Sequence, residues 1–259
     1  MSNYRNYREE WLEVSDDRME ERIQRRLKQR QIRKKKALIE YFVFCSSIVI
    51  IIVVALAIGL DVFSNNEANA NATMTEDGAG KESYVYLEKP NWEEDFLTPN
   101  EYSRPQTLIE EVNGVVVHYT GNPNTTAKQN RDYFEDLATT HETSASSHFV
   151  VGLEGEILQC MPLNEVAYAS KHRNADTISI EVCHPTEDGK FTKETYKAVV
   201  ALVAWLVVEY DLAEDEVIRH YDVTGKECPK YYVQYESAWE DFKLDVWAYI
   251  DKNSEIITK

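Results

Sequence analysis

Three kinds of hydrophobic pattern follow one another along the 259 residues. Tyr41–Leu60 is an apolar run without a single charged side chain. About 20 residues at a rise of about 1.5 Å cross a hydrocarbon core of roughly 30 Å, so a membrane-spanning helix is predicted over residues 37–60. Beyond residue 105 the apolar runs shorten and become periodic. Gly114–Tyr119 is β-branched and suits a buried strand, and Thr177–Cys183 alternates, with Ile178, Ile180 and Val182 on one face and Ser179 and Glu181 on the other. His148–Gly152 and Glu156–Cys160 flank Leu153-Glu154-Gly155, a hairpin signal. Val217–His220 forms another short strand or strand end.

Helical spacing accounts for much of the remainder. Thr125 or Thr126 caps a helix reaching about Leu137, with Asn130, Phe134 and Leu137 on one face. Thr192 opens a second, whose apolar positions run from Tyr196 through Val199, Val203 and Leu206 to Tyr210. Ser237 is expected to cap a third, facing Phe242, Val246, Tyr249 and Ile250 inward. Strands interleaved with helices predict an α/β domain over 106–259, large enough for one core.

Charge orients the chain. Residues 22–36 carry nine Lys or Arg and no acid, which places the N-terminal tail, 1–36, in the cytoplasm and everything after Leu60 outside. Ala68-Asn69-Ala70 resembles a signal-peptide cleavage site. The long basic region and an apolar core exceeding about 15 residues favour an uncleaved anchor in the cell membrane. Residues 61–105, rich in Asn, Glu, Gly and Pro, read as a flexible extracytoplasmic tether, within which Tyr84–Leu87 either packs on the domain or forms a short strand. The net charge of −17 divides into +5 over residues 1–36 and −22 over the rest. A part so acidic repels polyanions, so no nucleic-acid partner is expected, and the chain is taken as a monomer.

Four cysteines are too few for a disulfide scaffold. Cys160, Cys183 and Cys228 lie beyond the apolar run, an odd number that leaves at least one thiol without an internal partner. Cys160 and Cys183 sit on predicted strands, as a disulfide or as two buried thiols. His118 ends one apolar strand, His220 another, and Cys228 follows eight positions on. Two imidazoles and a thiolate suit Zn²⁺, with a fourth position left open for water.

The segments VNGVVVHYTG, SASSHFVVGLEGEILQCMPLNEVAYAS, NADTISIEVCHP and IRHYDVTGKECPKYY occur in that order. Together they resemble the zinc amidase family shared by phage lysozyme-type amidases, bacterial wall amidases and peptidoglycan-recognition proteins. The resemblance covers about residues 107–250. It implies a single mixed β-sheet flanked by helices and one Zn²⁺ held by His118, His220 and Cys228. It implies Glu181 as general base and Lys226 as the cation facing the developing oxyanion. Tyr119, Ser147 and His172 fall where substrate contacts are expected. Ser147 departs from members that carry a tyrosine there, and a serine lacks the phenol's reach. The activity implied is hydrolysis of the amide between N-acetylmuramic acid and L-alanine in peptidoglycan. A receptor of the same fold that binds peptidoglycan without cutting it is the alternative. A zinc peptidase is disfavoured because the sequence has no HExxH helix.

Overall fold

The computed structural model describes residues 83–258. The stretches expected to form a cytoplasmic tail, a membrane span and the first part of a tether lie outside the described residues, and no helix among those described is long and apolar enough to cross a membrane.

Six short strands make one mixed sheet: β2 (Glu93–Glu94), β3 (Val115–Val117), β4 (Phe149–Val151), β5 (Ile157–Gln159), β6 (Ile178–Val182) and β7 (Val217–Arg219). Their spatial order is β2-β5-β4-β6-β3-β7. The strands β4, β6, β3 and β7 run parallel, β5 is antiparallel to β4, and β2 is parallel to β5. Parallel strands are covered on both faces, which explains the wholly buried Val115–Val117 and Phe149–Val151.

Two apolar layers sandwich the sheet. On one face, Val115, Val117, Phe149, Ile178, Ile180 and Val182 pack against α2 (Lys193–Tyr210) and α5 (Glu236–Asn253). On the other, Val150, Leu158, Cys160 and Cys183 meet Ala127, Phe134 and Leu137 of α1 (Ala127–Thr140). The alternation read in Thr177–Cys183 therefore holds, and Glu181 stands on the α1 face. The fold is the α/β mixed sheet with flanking helices expected from sequence.

Thr126 and Thr192 cap α1 and α2, each accepting the backbone N–H three residues on. Ser237 does not cap α5. It lies inside the first turn, because α4 (Lys230–Gln234) runs into α5 across Tyr235 alone, and the Ala238 N–H is taken by the Tyr235 carbonyl. Between β4 and β5, Gly155 turns with φ of 85°, and a Cβ there would lie 2.9 Å from the Glu194 carbonyl oxygen. Only glycine suits that approach.

The described part of the stretch expected to be a tether, 61–105, does not behave as one. From Leu87 onward the chain packs on the domain: Leu97 is fully buried, and the N–H groups of Asp95 and Leu97 donate to Gln159 and Cys160, extending the β2 edge. Arg131 on α1 donates to the carbonyls of Asp95 and Phe96, and Arg104 makes a two-pronged pair with Glu165. These contacts are long-range, so local composition does not reveal them. The Tyr84–Leu87 patch resolves as β1 (Ser83–Tyr86), which pairs antiparallel with β8 (Glu255–Thr258) in a separate ribbon.

His148 ties β4 to β6. Its backbone N–H donates to Ser179, its Nδ1 accepts the Ser179 N–H at 3.0 Å, and its Nε2 lies 2.9 Å from the Glu165 carbonyl. This neutral ring is fully buried, and burial holds it down at about 4 against 6.5 in an exposed imidazole.

Two expectations follow. Leu97→Ala should cost about 2–5 kcal/mol in chemical denaturation, since it empties a buried side-chain site; a change near zero would return this segment to the tether. Because the unfolded chain takes up the His148 proton first, stability should fall as pH drops from 6.5 towards 4, by about 3 kcal/mol from this group. His148→Gln, less stable at neutral pH, should show a correspondingly shallower slope in that window, and an unaltered slope would reassign it to other groups.

Candidate metal centre

The centre forms at the C-terminal ends of β3, β6 and β7, where ligand sites of parallel sheets are commonly placed. β3 ends at Val117, and the His118 N–H donates to the Ile180 carbonyl, carrying the strand pairing one residue further. Because Val117 is opposite Ile180, the next residues, His118 and Glu181, stand side by side on one face. β7 runs directly into α3 (His220–Thr224), so His220 is delivered by the end of the adjacent strand. The turn after α3 is closed by Gly225, at φ of 76°, and by the Tyr221 N–H donating to the Cys228 carbonyl. This return brings the buried Cys228 thiol under both imidazoles.

The ligating atoms of His118, His220 and Cys228 all lie within 4.8 Å of one another. The two imidazole rings are 4.6 Å apart between centroids. His118 Nε2 engages the Ser170 hydroxyl at 3.2 Å, which leaves its Nδ1 facing Cys228 Sγ at 3.9 Å and Glu181 Oε1 at 3.9 Å. His220 Nδ1 and Glu181 Oε2 are buried and without hydrogen-bond partners. Two orphaned buried acceptors beside a thiol are costly unless something binds between them. A divalent cation fits this donor set, and Zn²⁺ fits it best, because two nitrogens and a sulfur make an open three-ligand site.

Electrostatics agree with that reading. Burial lowers His118 well below the usual imidazole range, and His220 and Lys226 act in the same direction. Burial brings His220 to about 4, helped by Lys226 and Lys171. Burial pushes the Cys228 thiol up to about 12, with Glu181 adding to it, while the Tyr119 backbone N–H and Lys226 oppose. Glu181, its side chain 19% exposed, is pushed by burial to about 8 against the pull of Lys226. The centre is thus assembled from neutral groups, and a cation is what would draw the thiol and carboxyl into their charged forms.

Of the residues singled out in the sequence, His118, Glu181, His220 and Cys228 converge. Lys226 is exposed on the loop before Cys228, with its charge felt by all four. Tyr119 contributes its backbone N–H to Cys228, while its half-buried ring stacks on His184 at 5.0 Å and closes against Gly189. His172 is exposed on the 3₁₀ turn Lys171–Ala175 beside the centre. Ser147 does not fit a substrate contact. It is fully buried, and its hydroxyl is directed to the carbonyls of Phe149 and Ser179, both at 2.8 Å. Cys160 and Cys183 are free thiols, each pushed by burial to about 12.

Ser170 and Asn174 escaped the sequence reading. Ser170 orients His118, and Asn174 holds the approach to Ser170 by accepting the N–H groups of Ala169 and Ser170. Ligand imidazoles usually have such a partner on the other nitrogen, but no spacing in the sequence announces which residue supplies it.

Comparison with known proteins bears on the same stretch. Residues 109–231 match the family model described as N-acetylmuramoyl-L-alanine amidase. The chain is 35% identical over 164 residues to the N-acetylmuramoyl-L-alanine amidase CwlL of Bacillus licheniformis, covering 58% of this chain and 45% of the relative. It is 32% identical over 174 residues to the N-acetylmuramoyl-L-alanine amidase BlyA of Bacillus subtilis (strain 168), covering 59% and 46%. The chain thus spans less than half the length of these relatives. Among solved structures, the catalytic domain of XlyA matches with a TM-score of 0.51 and 27% identity, over 61% of this chain and 99% of that one. The structure of PlyL, at 23% identity and a TM-score of 0.52, shares the fold. Over residues 109–231, then, just under half of its length, this chain is similar to the N-acetylmuramoyl-L-alanine amidase family.

Proposed function

We propose that this protein is a membrane-anchored, zinc-dependent amidase that hydrolyses the bond between N-acetylmuramic acid and L-alanine in peptidoglycan. The observation that carries the reading is the convergence of His118, His220 and Cys228 within 4.8 Å, with the Glu181 carboxyl 3.9 Å from His118 Nδ1. The names of the relatives in Bacillus support the same substrate.

His118, His220 and Cys228 would hold Zn²⁺, which would supply a water of lowered pKa and polarise the scissile carbonyl. The Glu181 carboxylate, beside His118, would accept a proton from the attacking water and return it to the departing alanine nitrogen. The Lys226 ammonium, exposed at the rim, faces the negative charge that develops on the carbonyl oxygen. Ser170 keeps the His118 ring turned so that Nδ1, not Nε2, is presented to the centre. With Ser147 turned into the sheet, no phenol or hydroxyl from that position shares the proton handling, so the transfer rests on Glu181. A binding-only receptor would have no use for an acid held between ligand and cation, which supports hydrolysis over the receptor reading.

The apolar run Tyr41–Leu60 and the basic stretch before it support a single-pass anchor with the catalytic domain outside the cell membrane, next to the wall. The acidity of residues 37–259 supports the absence of a nucleic-acid partner. A monomer is the simplest state, and sedimentation in detergent tests it.

The full-length chain, incubated in detergent with purified peptidoglycan, should release stem peptides bearing new L-alanine N-termini. Release should stop with a chelator and return with Zn²⁺. Binding without release, from protein carrying zinc, would replace the amidase by the receptor. Cys228→Ser should lose most of its zinc by atomic absorption, and an unchanged content would remove Cys228 from the ligand set. Glu181→Gln should keep zinc but lose turnover by about 100-fold or more; near-normal turnover would mean that another group is the base.

A further inference from the structure

We propose that Lys171 is a substrate-binding residue that takes a free carboxylate of the stem peptide close to the scissile amide. This deepens the amidase reading and rests on it.

The arginines of the domain are committed, whereas its lysines are divided. All four arginines among the described residues pair with carboxylates, and so do Lys128 and Lys243. Lys171 and Lys226 do not, and among the described residues neither do Lys193, Lys197 and Lys252; what sets Lys171 and Lys226 apart is their place in the fold. Both stand beside the metal centre, in a part of the chain whose net charge is −22. Two unpaired cations kept at one place, where carboxylates are abundant elsewhere, mark a point at which negative charge is to be received.

Lys171 is held there by its neighbours. Ser170, fully buried, fixes the preceding position through the 3.2 Å contact with His118 Nε2. Asn174 accepts the N–H groups of Ala169 and Ser170, and the 3₁₀ turn Lys171–Ala175 packs against α3, which begins at His220. Lys171 itself is exposed and adopts a left-handed backbone, with φ of 55°. A non-glycine residue pays strain in that conformation, and such residues concentrate where a side chain has to be aimed.

The chemistry of the substrate leaves one partner for it. In the muramoyl–alanine amide the lactyl carboxyl is consumed in the bond, and the sugar carries no charge. The reacting carbonyl develops a single oxyanion, which Lys226 faces. The nearest permanent negative charge belongs to the peptide, at the α-carboxylate of its second residue. An ammonium beside His220, distinct from Lys226, suits that carboxylate.

The test uses full-length, zinc-loaded protein in detergent and two soluble substrates: N-acetylmuramoyl-L-alanyl-D-isoglutamate peptides with that α-carboxylate either free or amidated. The wild type should favour the free acid by at least about fivefold in kcat/KM. In Lys171→Met, at unchanged zinc content, the ratio should collapse towards one, whereas Lys252→Met should keep it. A wild type that does not discriminate, or a Lys171→Met variant that slows both substrates alike, would overturn the assignment. If the wild type cuts neither peptide, the amidase reading fails, and the carboxylate assignment is decided separately by calorimetry. The same acid-over-amide ratio in affinity, lost in Lys171→Met, would sustain it, and equal affinities would remove it.

Discussion

Everything at the centre depends on the register of two parallel strands. Val117 of β3 lies opposite Ile180 of β6, and the pairing continues through the His118 N–H to the Ile180 carbonyl. A slip of one residue would turn Glu181 into the layer of Val199, Val203 and Leu206 and bring Ile180 or Val182 beside His118. The apolar faces of both strands forbid that slip, since it would expose Ile178, Ile180 and Val182 together to the α1 side. The same burial that stabilises the sheet therefore places a carboxyl next to an imidazole with no contact between them that would be strong enough to do so alone.

The second organising element is the supply of polar partners around groups that are otherwise isolated. His148, beneath the centre, has both ring nitrogens occupied and ties β4 to β6. His118 has one nitrogen occupied by Ser170 and the other left towards the centre. His220 has a buried Nδ1 with no partner at all. That gradation separates a structural histidine from an oriented ligand and a waiting one, although all three are buried and all three are lowered by burial. Burial alone distinguishes nothing here; the hydrogen bonds do.

Much of this was legible before any coordinates. Strand alternation placed Glu181 opposite its apolar neighbours, and the threonines at 126 and 192 marked helix starts, because both signals are local and act within a few residues. The grouping of His118, His220 and Cys228 was legible through the order of four motifs, not through spacing, as His118 and Cys228 are 110 positions apart. What escaped is non-local. Ser170 is a serine in a polar loop until the fold sets it against His118. Ser147 occupies a motif position that suggests substrate contact, yet a small hydroxyl finds two carbonyls within the sheet and never reaches the surface. Leu97 looked like an apolar residue stranded in a tether, because the strand edge that covers it is contributed by residues some sixty positions later. Tertiary pairing overrides composition in each of these cases.

The small ribbon of β1 and β8 sets how the domain responds to being pulled. Ser83 pairs with Thr258 at its open end, while Tyr86 and Glu255 lead back into the body at Leu87 and α5. A tension arriving through the chain before Ser83 meets the rungs one at a time, in the order of a zipper, instead of shearing them all at once. The rungs of the ribbon lie outside the six-stranded sheet, so they can part without breaking any of its pairings. The sheet that carries the centre shares no strand with the ribbon, so loss of the ribbon's pairing leaves the register of β3 and β6 untouched.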